Sequence, residues 1–202
     1  MNLSFRKKIE HIWYYYKVHI CLSAFLIYLL CTLIVHFATA RELGFCAMLI
    51  DSQQPKNHEA YVAAFAAAAE IDQSEYDVVL QTTVSWSAMD DYADMKTGMY
   101  LQTRMIAGDL DVTILPAERL MTYRNAYSDL RTILPLELLT SLGDAVCYSD
   151  DTEPIPIGLS IADCDGFMTQ YYYPGSDYIL VIPKTCPHPQ YAEAFVRFVF
   201  AQ

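Results

Sequence analysis

Residues 43–50 read Leu43-Gly44-Phe45-Cys46-Ala47-Met48-Leu49-Ile50, an unbroken apolar run that stops at Asp51. A strand with one wet face alternates apolar and polar residues. A run without alternation predicts a strand buried on both faces, in a sheet with helices on either side. Asp51 to Lys56 is polar and contains Pro55, a loop at the carboxyl end of that strand. Asn57 is placed to cap a helix over 59–71, nearly all alanine, with Tyr61, Phe65 and Ala68 or Ala69 on one side. The β-branched stretch 76–84 predicts a second strand.

The same alternation continues to the end. Ser87-Ala88-Met89-Asp90 has the form of a capping box for a helix reaching about Ala107. Tyr92, Met95, Met99 and Ile106 share one of its faces, and Gly108 is its stop. Asp90, Asp91 and Asp94 crowd its first turns, where the helix dipole favours carboxylates. A short strand spans 112–115, Pro116 opens a helix over 117–126, and a further short helix ends at Gly143. Residues 144–156 form an acidic loop and 155–161 a short strand. Asp163-Cys164-Asp165-Gly166 lacks the spacing and closing glutamate of a calcium loop and reads as a turn. An aromatic turn at 171–175 precedes a second wholly apolar strand at 178–182. Pro189 starts a closing helix with Tyr191, Phe195, Phe198 and Val199 on its core side. The pattern predicts one three-layer α/β domain over 41–202 with a mostly parallel sheet.

Upstream of that domain, residues 18–38 contain no Asp, Glu, Lys or Arg. As a helix this stretch would reach roughly 30 Å, the thickness of a bilayer core. Residues 1–17 carry Arg6, Lys7, Lys8 and Lys17 against Glu10, and Trp13, Tyr14, Tyr15 and Tyr16 abut the apolar run. Basic flank and aromatic belt together predict a transmembrane helix with its N-terminus in the cytoplasm and the following domain outside the cell. Ala38-Thr39-Ala40 is also a small-x-small site, so cleavage of a signal peptide stands beside a retained anchor. His19 and His36 lie near the ends of the span and read as interfacial residues.

The first seventeen residues hold four of the 13 basic and one of the 24 acidic residues, leaving nine and 23, a net charge of −14 beyond them. A surface this acidic excludes nucleic acid as a partner. Cys46, Cys147, Cys164 and Cys186 fall in the domain, without zinc-ligand spacing, and allow three disulfide pairings or buried free thiols. There is no nucleophile elbow, phosphate loop or metalloprotease helix, so the sequence predicts neither an enzyme nor a cofactor.

Residues 104–130, RMIAGDLDVTILPAERLMTYRNAYSDL, resemble a segment of extracellular solute-binding proteins. There a helix ends at glycine, an acidic residue starts a strand, and the next helix precedes a Asp-Leu turn. Residues 177–200, DYILVIPKTCPHPQYAEAFVRFVF, are similar to the late strand and helix of that family. Residues 7–20, KKIEHIWYYYKVHI, resemble the anchors of small membrane-attached proteins of Gram-positive bacteria carrying such domains. The resemblance implies one lobe of a solute-binding protein, because a second lobe would have to fit between Leu134 and Leu159.

In open α/β sheets ligands bind beyond the carboxyl ends of the strands. Those ends place Asp51, Ser52, Thr83, Ser85, Trp86 and Glu118 in a candidate site, with Tyr172 and Tyr173 beside Trp86 as stacking partners. Two functions follow. One is recognition of a small molecule or peptide outside the cell. The other is a module that docks onto a neighbouring membrane protein such as a transporter. In both, residues 18–38 contact membrane lipid.

Overall fold

A computed structural model describes residues 5–39, 41–86, 91–175 and 177–201. The expected capping box at 87–90, and Ala40 of the small-x-small site, lie outside the described residues. The chain forms two units, Met1–Arg41 and Glu42–Gln202. The first is a single helix, α1 (Phe5–Thr39). Its stretch Tyr16–Val35 is long and apolar enough to cross a membrane or to serve as a signal sequence.

The second unit is a mixed α/β domain with one six-stranded sheet. In chain order its elements are β1 (Glu42–Leu49), α2 (His58–Ala68), β2 (Tyr76–Gln81), α3 (Asp91–Ala107), β3 (Val112–Pro116), α4 (Leu136–Leu142), β4 (Val146–Tyr148), β5 (Pro156–Ser160), α5 (Asp165–Gln170), β6 (Tyr178–Val181) and α6 (Pro189–Phe200). Strand order is β2-β1-β3-β6-β5-β4. β1 pairs parallel with both β2 and β3. β6 runs antiparallel to β3 and β5, and β4 antiparallel to β5. The expected parallel order therefore holds in one half of the sheet only. In the other half β6 returns antiparallel against β3 and β5, and 146–148, expected as loop, pairs with β5 at the sheet edge. The segment between Leu134 and Leu159 thus extends the same sheet.

β1 is the centre of the core, as its sequence predicts. Phe45, Ala47 and Leu49 face one cluster, with Tyr61 and Phe65 of α2, Phe167 of α5 and Phe195 of α6. Cys46, Met48 and Ile50 face the other, with Leu101 and Met105 of α3. The period of two puts alternate residues on opposite sides, and both sides are apolar. Phe45, Phe65 and Phe195 meet with ring centroids 4.8–5.2 Å apart. α6 buries Ala192, Phe195, Val196 and Val199, while the expected Tyr191 and Phe198 are only partly covered.

Other boundaries move for local reasons. Asn57 sits at the N-cap of α2, but its side chain accepts from Gln170 Nε2 at 2.5 Å and leaves the helix amides uncapped. After Pro116 the chain makes two 3₁₀ segments, Ala117–Arg119 and Met121–Ala126, in place of one α-helix, with Tyr123 off helical geometry. Of the turn expected at 163–166, Asp165 and Gly166 are instead the first residues of α5, with Cys164 at its N-cap. Gly108 ends α3 at φ +69°, the left-handed stop its position predicts. On α3 the shared face is turned the other way: Tyr92, Met95, Met99 and Ile106 are exposed, and Gly98, Leu101 and Met105 enter the core.

Candidate functional site

The carboxyl ends of β1 and β3 and the start of β6 converge at one end of the sheet, where Pro116 of β3 pairs with Tyr178 of β6. Asp51, the second residue past β1, has φ +62°. In that left-handed turn its amide donates to Val84 O at 3.0 Å, past the end of β2. Its Oδ1 accepts from Ser85 Oγ at 2.8 Å and from Trp86 N at 2.6 Å. Its Oδ2 lies 3.5 Å from the Tyr178 hydroxyl, which donates to it. Thr97 Oγ1 donates to Ser85 O at 2.9 Å and ties the loop to α3. Asp51 therefore joins three strand ends.

Ser52 is buried and donates to Leu49 O at 2.7 Å, closing the turn. Glu118 is exposed at the end of β3, 3.5 Å from Arg119 Nε. Thr83 and Ser85 are exposed and line a shallow cavity of about 300 Å³ with Lys96, Thr97 and Tyr100. Glu118 lines a second cavity of about 330 Å³ with Pro116, Pro174, Asp177 and Tyr178.

The aromatic residues do not assemble as expected. Trp86 packs on the α3 side of the sheet, its ring 6.1 Å from Tyr123 and under the Arg119 guanidinium at 5.1 Å. Arg119 in turn pairs with Asp94 at 2.9 Å, and the Tyr123 hydroxyl occupies the space that Gly98 leaves without a Cβ. Tyr173 belongs to the opposite core cluster, against Tyr178 at 4.7 Å and Phe167 at 6.1 Å. Trp86 and Tyr173 are thus separated by the sheet, and Tyr172 is exposed on left-handed backbone at φ +52°. Burial, reinforced by Tyr178, holds the Tyr173 phenol far above its ordinary value. Burial and the nearby Asp51 push Tyr178 up to about 12. Both keep their protons at neutral pH and can donate.

Sequence reasoning missed a completely buried carboxylate. Asp111, at the opposite end of the sheet, is completely buried. Its Oδ2 accepts from Cys46 N at 2.8 Å and its Oδ1 from His188 N at 2.9 Å. Cys186 Sγ lies 3.5 Å from Oδ1, and His188 Nδ1 3.2 Å from it. A Cys, a His and an Asp in contact suggest nucleophilic chemistry, but burial beside Asp111 pushes the Cys186 thiol up to about 12. A thiol so protonated is no nucleophile at neutral pH. Burial also raises the Asp111 carboxyl, against the pull of the two amides and His188. The cluster clamps β1, β3 and the entry to α6. Its members are scattered along the chain from Cys46 to His188 and carry no motif.

No protein-family model matches the chain, and no curated protein matches it. Among solved structures, the crystal structure of the N-glycan transport solute binding protein NgtS from Streptococcus pneumoniae is similar over 50% of this chain, at 18% identity and a TM-score of 0.29. The similarity spans 19% of that protein.

Proposed function

We propose that the protein is a membrane-anchored receptor domain, not an enzyme, that takes a small molecule or peptide outside the cell. Residues 18–38 span the bilayer with the basic N-terminus in the cytoplasm. The exported domain has the three-layer build of one lobe of a solute-binding protein. The observation that carries the reading is the cavity of about 330 Å³ where β3 ends and β6 begins. Its size is at the lower end for small-ligand sites. Glu118 and Asp177 supply acceptors, Tyr178 a protonated hydroxyl, and Pro116 and Pro174 rigid apolar walls. This set favours a solute bearing an amine or several hydrogen-bond donors.

Glu42–Gln202 has its own core and suits a thermal-shift screen with amines, amino acids, short peptides and sugars. A ligand of the folded state raises the midpoint with concentration. Glu118→Ala, at a side chain 74% exposed, leaves the fold intact and weakens that shift. A panel without any shift, or a shift that Glu118→Ala leaves unchanged, overturns this site.

A further inference from the structure

The sheet ends at β4, a strand of three residues that pairs with β5 on its inner side. In an antiparallel pair, alternate residues point their amide and carbonyl away from the partner strand. No strand among the described residues meets those groups on the outer side of β4. Such an edge takes up another strand readily. A cavity of about 340 Å³ lies beside it. Val146 and Tyr148 of β4, Leu136 and Leu139 of α4, and Pro156 of β5 give it apolar walls. Tyr148 is 53% and Leu136 76% exposed, so these walls are open to a side chain from another molecule.

Charge identifies the occupant. Between Arg131 and Lys184 the chain has eight carboxylates and no Lys, Arg or His. Three of them, Glu137, Asp144 and Glu153, are each next in sequence to a residue lining the cavity, namely Leu136, Gly143 and Pro154. All three are exposed and have no basic partner among the described residues. Asp150 and Asp151 follow β4 closely and lie beside Arg124. Arg131 also lines the cavity, but both carboxylate oxygens of Asp129 hold it at 2.6–3.0 Å. The rim therefore attracts positive charge, and a second copy of this acidic domain is repelled. A charged loop also blunts a bare edge. That protective role does not call for an open apolar cavity beside the strand.

We propose that the outer edge of β4 docks an extended, basic segment of a partner protein. The segment lies against β4 as a seventh strand, with an apolar side chain in the cavity and Lys or Arg side chains among Glu137, Asp144 and Glu153. Backbone pairing supplies affinity at such edges, and pockets for alternate side chains supply specificity. Three residues of β4 offer few backbone bonds, so the cavity and the charges carry most of the binding. This site shares no residue with the cavity at Glu118, and it does not rest on the receptor reading above.

The test uses the full chain in dodecyl maltoside micelles, with empty micelles as the blank. The probe is a fluorescein-labelled heptapeptide, KTKLKTK, read by fluorescence anisotropy. Docking gives saturable binding that the acidic peptide ETELETE lacks. Replacing the central leucine, as in KTKSKTK, weakens it about tenfold or more, the worth of one buried leucine side chain. The double variant Asp144→Lys, Glu153→Lys weakens it about tenfold, and its unchanged Tm shows that the fold is intact. Only one alternate set of peptide amides faces β4. N-methylation of that set abolishes binding, and N-methylation of the other set leaves it. Absence of saturable binding overturns the proposal. Binding that survives both methylations, or that ignores the loss of leucine, overturns it too and reduces the rim to an acidic surface that adsorbs cations. Cross-linking of β4 to a second copy, without peptide binding, overturns it and gives the edge to a homodimer.

Discussion

Replacing Asp51 tests whether the strand-end turn is a structural joint. Asp51 Oδ1 holds Trp86 N at 2.6 Å and Ser85 Oγ at 2.8 Å. Hydrogen bonds to a charged acceptor are worth about 1.5–3 kcal/mol when shielded. Ser85 is exposed, so its bond is worth less, and the pair together is worth about 2–3 kcal/mol. In a domain of about 160 residues each kcal/mol moves Tm by about 2–4 °C, so Asp51→Ala, which keeps a Cβ at φ +62° as Asp51 does, lowers Tm by about 5–10 °C. Asp51→Gly loses the same bonds but sheds that Cβ, which recovers about 1–2 kcal/mol of left-handed strain. Glycine's greater freedom in the unfolded chain returns about 0.5–1 kcal/mol of that difference. The expected order of Tm is Asp51, Asn, Gly, Ala, with Asn nearest the parent because it tolerates left-handed backbone and keeps one acceptor. Thermal denaturation of residues 42–202, followed by circular dichroism, reads the series. Equal Tm for parent and Asp51→Ala, or Asn as damaging as Ala, refutes the joint.

Three further outcomes are expected. Burial lowers the pKa of His58, so the folded state binds this proton less readily than the unfolded chain. Stability is then fully present above about 6.5 and falls as pH drops through the lower folded value, and His58→Phe flattens the urea midpoint between about pH 7 and 5. At Gly158 a Cβ would stand 2.6 Å from Ile179 Cγ2 and 3.2 Å from Val181 Cγ1. Gly158→Ala should destabilise by about 1–3 kcal/mol in equilibrium denaturation, and no change would show that β5 and β6 are not so closely packed. Asp111→Ala leaves the amides of Cys46 and His188 without their acceptor and should cost about 3 kcal/mol or more, with faster hydrogen exchange at both.

Much of this architecture is legible from local sequence. The apolar runs at 43–50 and 178–182 are central strands because a strand without alternation has no face for water. Gly108 and Pro189 mark the end of α3 and the start of α6 through backbone preferences that need no neighbours. On α3 periodicity failed, because both of its faces are apolar and spacing alone does not say which one packs inward. Gly98 was the available signal: its missing Cβ admits Tyr123 and brings that side of the helix to the core.

The candidate site was legible in position but not in composition. Asp51, Ser85 and Glu118 lie at the strand ends because chain direction in an α/β sheet puts them there. Trp86 and Tyr173 part company because their side chains leave on opposite faces of that sheet. The sequence by itself determined the apolar helix, the acidic α/β domain and the strands at its centre, all of which follow from composition and local backbone preference. Tertiary structure alone decided the antiparallel half of the sheet, the Asp111 clamp and the exposed face of α3. Each of these depends on which distant residues come into contact, and pairings over tens of residues leave no local periodicity to read.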